Sequence, residues 1–157
     1  MKRYILVGAA VFVFLSACVT GKFDREAGSR ASIVTTAKQY LGTPYKYGGT
    51  TARGFDCSGF IWFVYRKEMG MELPRSTGGL WDKGRTVSMA DLKPGDILVF
   101  ATVKKGPSHA GIVLENSRNG VTFIHAASDG PKTGVIISSL NEAYYKKRLM
   151  GARRFLR

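Results

Sequence analysis

Helical periodicity is confined to the first half of this chain, and short strand-like runs fill most of the second half. Ile33, Ala37 and Leu41 share one face of a predicted helix. That helix begins near Arg30, and residues 60–69 predict a second, largely apolar one. Later runs rich in β-branched or aromatic residues predict strands at 96–101, 109–115, 121–126, 134–138 and 153–156, with a short helix over 141–148. Helices followed by strands predict an α+β fold, with N-terminal helices packed on a central antiparallel sheet.

The first 17 residues have the layout of a secretory signal peptide. Lys2 and Arg3 form a positive n-region, and a nearly unbroken apolar run follows over residues 4–15. That run is shorter than the roughly 20 apolar residues that a membrane-spanning helix needs. It leads into Leu-Ser-Ala-Cys at 15–18, which resembles the lipobox of bacterial lipoproteins. This resemblance implies that Cys18 is lipidated; the alternative is an ordinary signal peptide followed by an unmodified cysteine.

The mature chain is expected to consist of a tether and one domain. Residues 18–29 are polar and lack periodicity, which indicates an irregular tether between the lipid and a domain over 30–157. Val19 rather than Asp follows the lipobox cysteine. By the lipoprotein resemblance, this favours the periplasmic face of the outer membrane in a Gram-negative bacterium.

The charge of the chain restricts its partners. Removing the two charges of Lys2 and Arg3 from the formal net charge of +13 leaves +11 on the mature chain. A strongly basic surface favours polyanions such as nucleic acid, anionic lipid or an acidic wall polymer. Export excludes nucleic acid as the natural partner, which leaves the anionic peptide stems of peptidoglycan and the membrane surface. The alternative is a basic face that is only solvated.

Cys57 is the candidate nucleophile. An exported protein could join Cys18 and Cys57, its two cysteines, in a disulfide. Lipidation of Cys18 would instead leave Cys57 as a single thiol, either buried and inert or retained for its chemistry. Cys57 lies where a Gly-rich loop, 45–54, leads into a predicted helix. Unpaired backbone N–H groups at a helix N-terminus favour a thiolate, lower its pKa and can hold an oxyanion.

The chain has two histidines, His109 and His125, and each lies at an end of a predicted strand. Neighbouring antiparallel strands would bring them together, so that one could act as a base and the other orient it. Alternatively, either could be a structural histidine. Zinc needs three or four closely arranged ligands, and the residues do not offer them, so neither a metal nor a cofactor is expected.

Several stretches of this sequence together carry a family pattern. They are Pro-Tyr-Lys-Tyr-Gly-Gly at 44–49, Gly-Phe-Asp-Cys-Ser-Gly-Phe at 54–60, Leu-Pro-Arg-Ser-Thr at 73–77, Leu-Lys-Pro-Gly-Asp-Ile at 92–97, His-Ala-Gly-Ile-Val-Leu at 109–114 and Phe-Ile-His-Ala at 123–126. Over about residues 33–157 the chain resembles the NlpC-type family of papain-like peptidoglycan endopeptidases. Residues 134–142 and the basic tail look specifically like the Spr-type murein endopeptidase lipoproteins of Gram-negative bacteria.

The resemblance implies a papain-like NlpC-type domain with a Cys-His-His triad. Cys57 would be the nucleophile, His109 the general base and His125 the orienting residue. Oxyanion- and substrate-binding roles are implied for Tyr45, Asp56, Ser58, Arg75 and Ser76. A helix N-cap is an alternative role for Asp56, and solvation is an alternative for Arg75.

The reaction implied is hydrolysis of D-alanyl–diaminopimelate cross-links by thiolate attack and an acyl-enzyme. One alternative is cleavage between D-glutamate and diaminopimelate within one stem. Others are a non-catalytic wall-binding lipoprotein, or an acyltransferase or amidase, since papain-like scaffolds host several acyl transfers. A periplasmic adaptor or a protease that controls abundance is an additional candidate partner.

Overall fold

The computed structural model describes residues 17–103, 105–128 and 133–156. The signal peptide predicted over 1–17 falls outside these residues except for Ala17, and the side chain of Cys18, the predicted lipidation site, also lies outside the described part. Within the described part, no helix is both long and apolar enough to cross a membrane.

The first helix, α1 (Ala17–Gln39), begins well before the point at which apolar periodicity starts. Residues 18–29, expected to form an irregular tether, are therefore helical. Part of the reason is local, because Arg30 Nη2 lies 3.0 Å from Glu26 Oε1, one helical turn away. Ion pairs at this spacing stabilise a helical segment even where apolar residues show no periodicity. Apolar periodicity alone does not predict such a segment.

The other end of α1 also differs from the prediction. Ile33 and Ala37 are buried, but Leu41 lies beyond the last helical residue and is 46% exposed. The chain turns at Gly42, whose φ of 81° is in the left-handed region that glycine adopts readily. Gly42 N donates to Val135 O at 2.9 Å, so the turn after α1 is hydrogen-bonded to the C-terminal part of the domain.

The described residues also form three further helices and eight strands, which loops and turns connect. The helices are α2 (Cys57–Met69), α3 (Thr77–Lys83) and α4 (Ala143–Lys146). The strands are β1 (Thr50–Thr51), β2 (Gly54–Phe55), β3 (Arg85–Val87), β4 (Ile97–Phe100), β5 (His109–Ser117), β6 (Gly120–Ala127), β7 (Gly134–Ser139) and β8 (Leu149–Arg154). Helix α3 and strands β1, β2 and β3 were not predicted, and the last strand begins four residues before its predicted start.

Six strands form one antiparallel sheet in the order β3-β8-β4-β5-β6-β7, and β1 pairs with β2 in a separate hairpin. The helices α1 and α2 pack on this sheet, which confirms the predicted α+β class.

The two faces of the sheet carry different clusters, because successive side chains of a strand point to opposite faces. In β4, Ile97 and Val99 belong to the core shared with α1 and α2. Leu98 and Phe100 belong to a second apolar cluster on the opposite face.

A buried carboxylate joins the N-terminal helix to the sheet. Asp96, which is fully buried, accepts two bonds from Arg154 of β8, at 2.7 Å from Nε and 2.6 Å from Nη2. Arg30 of α1 adds a third contact, with Nη1 3.3 Å from Asp96 Oδ1. Because the charge is paired on two sides, a carboxylate can be held away from water at this position.

Candidate active site

The Gly-rich loop folds back on the start of α2 and makes Cys57 the first residue of that helix. Asp56 precedes it with an extended backbone, and its Oδ1 accepts from Gly59 N at 2.6 Å as a helix N-cap. Asp56 N donates in turn to Gly49 O at 3.1 Å. A Cβ on Gly59 would lie 2.0 Å from Gly49 O, so only glycine at position 59 lets the loop approach this closely.

Cys57 is a half-buried free thiol whose pKa is raised. Burial is the largest cause, and the carboxylate of Asp56 raises the pKa further. Hydrogen bonds from the backbone at Ala110, Ser58 and Cys57 itself lower the pKa, but they do not reverse the shift. The backbone N–H groups at the start of α2 thus lower the pKa of this thiol in the predicted direction, but burial and Asp56 outweigh them in the resting site. The thiol needs a base to ionise it.

The contact with Ala110 places the sulfur of Cys57 at the beginning of β5, where His109 is the first residue. His109 Nε2 lies 2.9 Å from His125 Nδ1. The two rings meet edge to face, with centroids 4.9 Å apart and an interplanar angle of 88°. The structure therefore brings the three predicted triad residues to one location.

The register of β5 and β6 explains the contact between the histidines. Ile112 pairs with Ile124, so His109, three residues before Ile112, projects from the same face as His125, one residue after Ile124. The two are diagonal neighbours on this face. A Cβ at Gly111 would lie 3.1 Å from the Cβ of His125, so glycine at this position leaves room for the imidazole.

His125 is fully buried, and its pKa is lowered to about 3. Burial is the larger cause of this shift, and the charge of nearby His109 is the second. The aromatic ring of Phe123 covers one side, with its centroid 5.0 Å from that of His125. His125 is therefore a neutral ring at physiological pH, with one nitrogen that donates and one that accepts.

Two hydroxyl groups that the sequence analysis missed contact the far nitrogen of His125. Ser138 Oγ lies 3.1 Å from Nε2, and the Tyr145 hydroxyl lies 3.3 Å from the same atom. Ser138 lies two residues after Ile136, the pairing partner of His125, so it projects from the same face of the sheet. The alternation of side chains along β7 would therefore predict the approach of Ser138 to His125 once the register of β7 is known. Tyr145 comes from α4, and no sequence spacing predicts its approach.

Of the predicted residues around the nucleophile, Asp56, Ser58 and Arg75 form one connected group. Arg75 Nη2 lies 3.4 Å from Asp56 Oδ2, and Ser58 Oγ donates to Arg75 O at 2.8 Å. These bonds attach the segment before α3 to the first turn of α2. Ser58 is buried, whereas the Arg75 side chain is 35% exposed and reaches solvent.

Tyr45 and Ser76 lie on either side of this group. Tyr45 forms an isolated bridge with Phe55, packs partly buried against the core and thus lies close in the fold to the nucleophile. Ser76 is exposed, and its Oγ accepts from Gly79 N at 3.1 Å as the N-cap of α3. The side chain of Ser76 is therefore engaged with its own helix.

A small cavity of about 50 Å³ opens beside the two imidazoles. His109 and His125 form part of its wall, and Val103, Tyr144 and Tyr145 lie among the other lining residues. Among the described residues, no group of three His, Cys, Asp or Glu side chains is placed to hold a metal ion. The arrangement offers a thiol, a base and a ring that orients the base, which are the parts of nucleophilic acyl transfer.

Comparison with known proteins relates this geometry to characterised families. The model of the NlpC/P60 family matches residues 42–154, which include every predicted site residue except Cys18. The chain is 47% identical over 125 residues to the probable peptidoglycan endopeptidase LytE of Bacillus subtilis (strain 168), covering 80% of this chain and 34% of LytE. It is 39% identical over 132 residues to the murein DD-endopeptidase MepS/murein LD-carboxypeptidase of Escherichia coli (strain K12), covering 84% and 66%.

A solved structure extends the likeness to three dimensions. The NlpC/P60 family protein from Bacillus cereus ATCC 10987 superposes with a TM-score of 0.71 at 33% identity, covering 82% of this chain and 40% of that one. The chain thus spans about a third of the length of LytE and just under two thirds of the length of MepS.

Proposed function

The chain belongs to the NlpC/P60 family, and we propose that it is a cysteine peptidase that hydrolyses peptide bonds in the stems of peptidoglycan. The observation that carries the proposal is the 2.9 Å contact between His109 Nε2 and His125 Nδ1, beside a thiol at the N-terminus of α2. The names of LytE and MepS, a peptidoglycan endopeptidase and a murein endopeptidase, support the substrate class.

The histidine contact determines which nitrogen of His109 acts as the base. Because Nε2 is engaged with His125, Nδ1 is the nitrogen that takes the proton of Cys57. Neutral His125 accepts from His109 Nε2–H both before and after this transfer, so the same tautomer serves the imidazole and the imidazolium. Since the pKa of the Cys57 thiol is raised, proton transfer accompanies attack on the substrate.

The reaction then follows in two acyl-transfer steps. The Cys57 sulfur bonds to the carbonyl carbon of the scissile peptide, and backbone N–H groups at the start of α2 hold the resulting oxyanion. His109 gives its proton to the leaving amine as the C–N bond breaks, which leaves a thioester. His109 next takes a proton from water, whose oxygen displaces the sulfur, and the acid product and the thiol of Cys57 are released.

We place the scissile bond at the D-alanyl–diaminopimelate cross-link between two stems. The support is the name of MepS, which denotes a DD-endopeptidase. Cleavage between D-glutamate and diaminopimelate within one stem is the alternative. The same relative is also named an LD-carboxypeptidase, an activity that would shorten a single stem from its end.

We assign substrate contacts to the residues around Cys57. Tyr45 and the exposed part of Arg75 would bind the stem, with Arg75 facing a stem carboxylate and Asp56 a free amine. Ser58 and Ser76 would hold the backbone beside the bound stem in place, because the Ser58 hydroxyl donates to Arg75 O and the Ser76 hydroxyl accepts from Gly79 N. The support is position, since Asp56 and Ser58 flank the nucleophile in the chain.

We further propose that lipidation of Cys18 anchors the protein to the periplasmic face of the outer membrane. The support is the sequence pattern at 15–18 and Val19 after it. The net charge of +11 that remains without Lys2 and Arg3 suits anionic stems near that membrane. A periplasmic adaptor or a protease would control how much enzyme acts on the wall.

Purified cross-linked muropeptide dimers test the proposal. A soluble form that begins after Cys18 is expected to convert dimers to monomers, and Cys57→Ala is expected to abolish the conversion because the sulfur is the nucleophile. Mass spectrometry of the products identifies the bond cut.

Each other outcome has a defined meaning. A product cut between D-glutamate and diaminopimelate, or a stem shortened by one residue, would keep the enzyme and move the bond. No turnover by folded protein with a reduced thiol would contradict the peptidase and favour wall binding alone.

A further inference from the structure

The buried end of His125 is held by two hydroxyl groups on different elements. Ser138 Oγ of β7 lies 3.1 Å from His125 Nε2, and the hydroxyl of Tyr145 in α4 lies 3.3 Å from it. Ser138 is 7% exposed, so this contact is shielded from water. The ring of Tyr145 also meets the His125 ring at 5.3 Å, with an interplanar angle of 72°.

The direction of these hydrogen bonds decides whether His109 can act as a base. If Nε2 of neutral His125 carries the proton, Nδ1 accepts from His109 Nε2–H, and His109 Nδ1 can take the proton of the thiol. If Nδ1 of His125 carries the proton, His109 must accept at Nε2 and already carries its proton on Nδ1. In that second state a neutral His109 cannot take a proton from Cys57.

We propose that Ser138 and Tyr145 are positioning residues that hold His125 in the tautomer with the proton on Nε2, by accepting that proton's hydrogen bond. The inference rests on the proposed function for its catalytic consequence, but the tautomer itself is a property of the resting protein. Two acceptors share one N–H, and Ser138 is the closer of the two. A hydroxyl can donate as well as accept, so the direction follows from the other nitrogen: a His109 that takes the thiol proton at Nδ1 donates from Nε2 to His125 Nδ1, which leaves the His125 proton on Nε2, facing the two oxygens.

The packing around the ring gives it little freedom to escape these contacts. Phe123 lies beside His125 with ring centroids 5.0 Å apart, and Gly111 packs so closely that an added Cβ would lie 3.1 Å from His125 Cβ. The pairing of His125 with Ile136 places Ser138 diagonally across the strands. The packing thus holds the His125 ring with Nε2 facing the hydroxyls of Ser138 and Tyr145.

The test measures the tautomer by ¹⁵N NMR on the full chain in detergent micelles, for the wild type and five variants. Ser138→Ala removes the closer hydroxyl, Tyr145→Phe removes the other, and the double variant removes both. Ser138→Thr keeps a hydroxyl at the same position. Ser139→Ala is the matched control, because Ser139 Oγ contacts Val121 O and Asn141 N and lies on the neighbouring residue of the same strand.

We expect the wild type to show the Nε2–H tautomer. Ser138→Ala should populate the other tautomer and lower kcat about tenfold with little change in KM, the amount that corresponds to losing one buried hydrogen bond. The loss in the double variant should exceed the product of the single losses, because in each single variant the remaining hydroxyl still accepts from the N–H and keeps part of the population in the working tautomer. Ser138→Thr should restore the wild-type tautomer, and Ser139→Ala should leave it unchanged.

Two results would overturn the proposal. One is an Nδ1–H tautomer in the wild type; the other is an unchanged tautomer in the double variant. A kcat that falls equally in Ser138→Ala and Ser139→Ala would assign Ser138 a merely structural role. Because the NMR measurement needs no turnover, failure of the peptidase proposal would leave this test intact.

Discussion

At His125, burial and the charge of nearby His109 act in the same direction, since both favour a neutral ring. A carboxylate in this position would balance the charge that His109 gains during the reaction, whereas a neutral imidazole only orients it. Burial likewise favours the uncharged form of the Cys57 thiol. The residue-scale chemistry of the proposed reaction therefore starts from an uncharged thiol and an uncharged orienting ring.

The lowered pKa of His125 has a consequence for stability. In the unfolded chain the ring takes up a proton as pH falls through 6.5, whereas in the folded protein it does so only at about 3. Between these values the unfolded state binds more protons, so stability is lost as pH falls, by up to about 1.4 kcal/mol per pH unit. Urea unfolding from pH 7 to pH 4 measures this slope. His125→Asn should show a shallower slope, and equal slopes for the two proteins would contradict the prediction.

At the scale of elements, the site depends on two close approaches. The first is the loop against the first turn of α2, where Gly59 faces Gly49 O. The second is the β5–β6 pair, where the register brings two histidines to one face. Most of α2, from residue 60 onward, and both histidine strands were predicted from local pattern, because turn residues and β-branched runs act over a few residues.

The helices and strands that were not predicted are short or lack an apolar pattern. The segment Thr-Gly-Gly-Leu-Trp-Asp-Lys that forms α3 contains two glycines, which have low helix propensity. β3 has three residues, two of them exposed, and becomes a strand because β8 pairs with it. Tertiary context decided both elements.

Gly59→Ala tests the first close approach. The added Cβ would meet Gly49 O at 2.0 Å, so the loop or the helix must move, and we expect a loss of about 1–3 kcal/mol in the free energy of unfolding. Muropeptide turnover should fall more than stability alone explains, because Cys57 moves with the helix start. Gly78→Ala in α3 is the matched control, since nothing lies within 4 Å of its Cβ. Chemical denaturation measures both, and equal stability of the two variants would refute the argument.

At the scale of the whole molecule, a single buried carboxylate connects parts of the chain that are distant in sequence. Asp96 accepts hydrogen bonds from Arg30 of α1 and Arg154 of β8, the first helix and the last strand of the described chain. The Tyr65 hydroxyl of α2 donates to Gly95 O beside it. These contacts connect α1, α2 and the sheet around Asp96. The sequence did not predict that Asp96 contacts the two arginines.

Asp96→Asn should be strongly destabilising. It leaves two arginines buried without their carboxylate, and breaking such a pair costs about 3–5 kcal/mol. Glu115→Gln, which removes an exposed carboxylate, should change stability by less than about 0.5 kcal/mol. Thermal and urea denaturation of the two variants measures the difference. Similar stability of Asp96→Asn and Glu115→Gln would show that the ion pairs contribute nothing net.

Local sequence pattern was enough to predict the α+β class, a helix that follows Cys57 closely, and Cys57, His109 and His125 as candidate residues. These predictions follow from local propensity and from the scarcity of cysteine and histidine, whereas the assignment of His109 as base and His125 as orienting residue came from the family resemblance. The pattern at 15–18 likewise carried the prediction of a lipid anchor, which lies outside the described side chains.

The pKa values and hydrogen bonds of those residues depend on packing between distant segments. The raised pKa of Cys57 depends on how deeply the thiol is buried, and the lowered pKa of His125 depends on the strands and rings around it. Ser138 and Tyr145 reach His125 from other elements, through contacts that no sequence spacing specifies. The physical reason is common to all of them: desolvation and hydrogen bonding depend on which distant segments pack together, and that is a property of the folded chain.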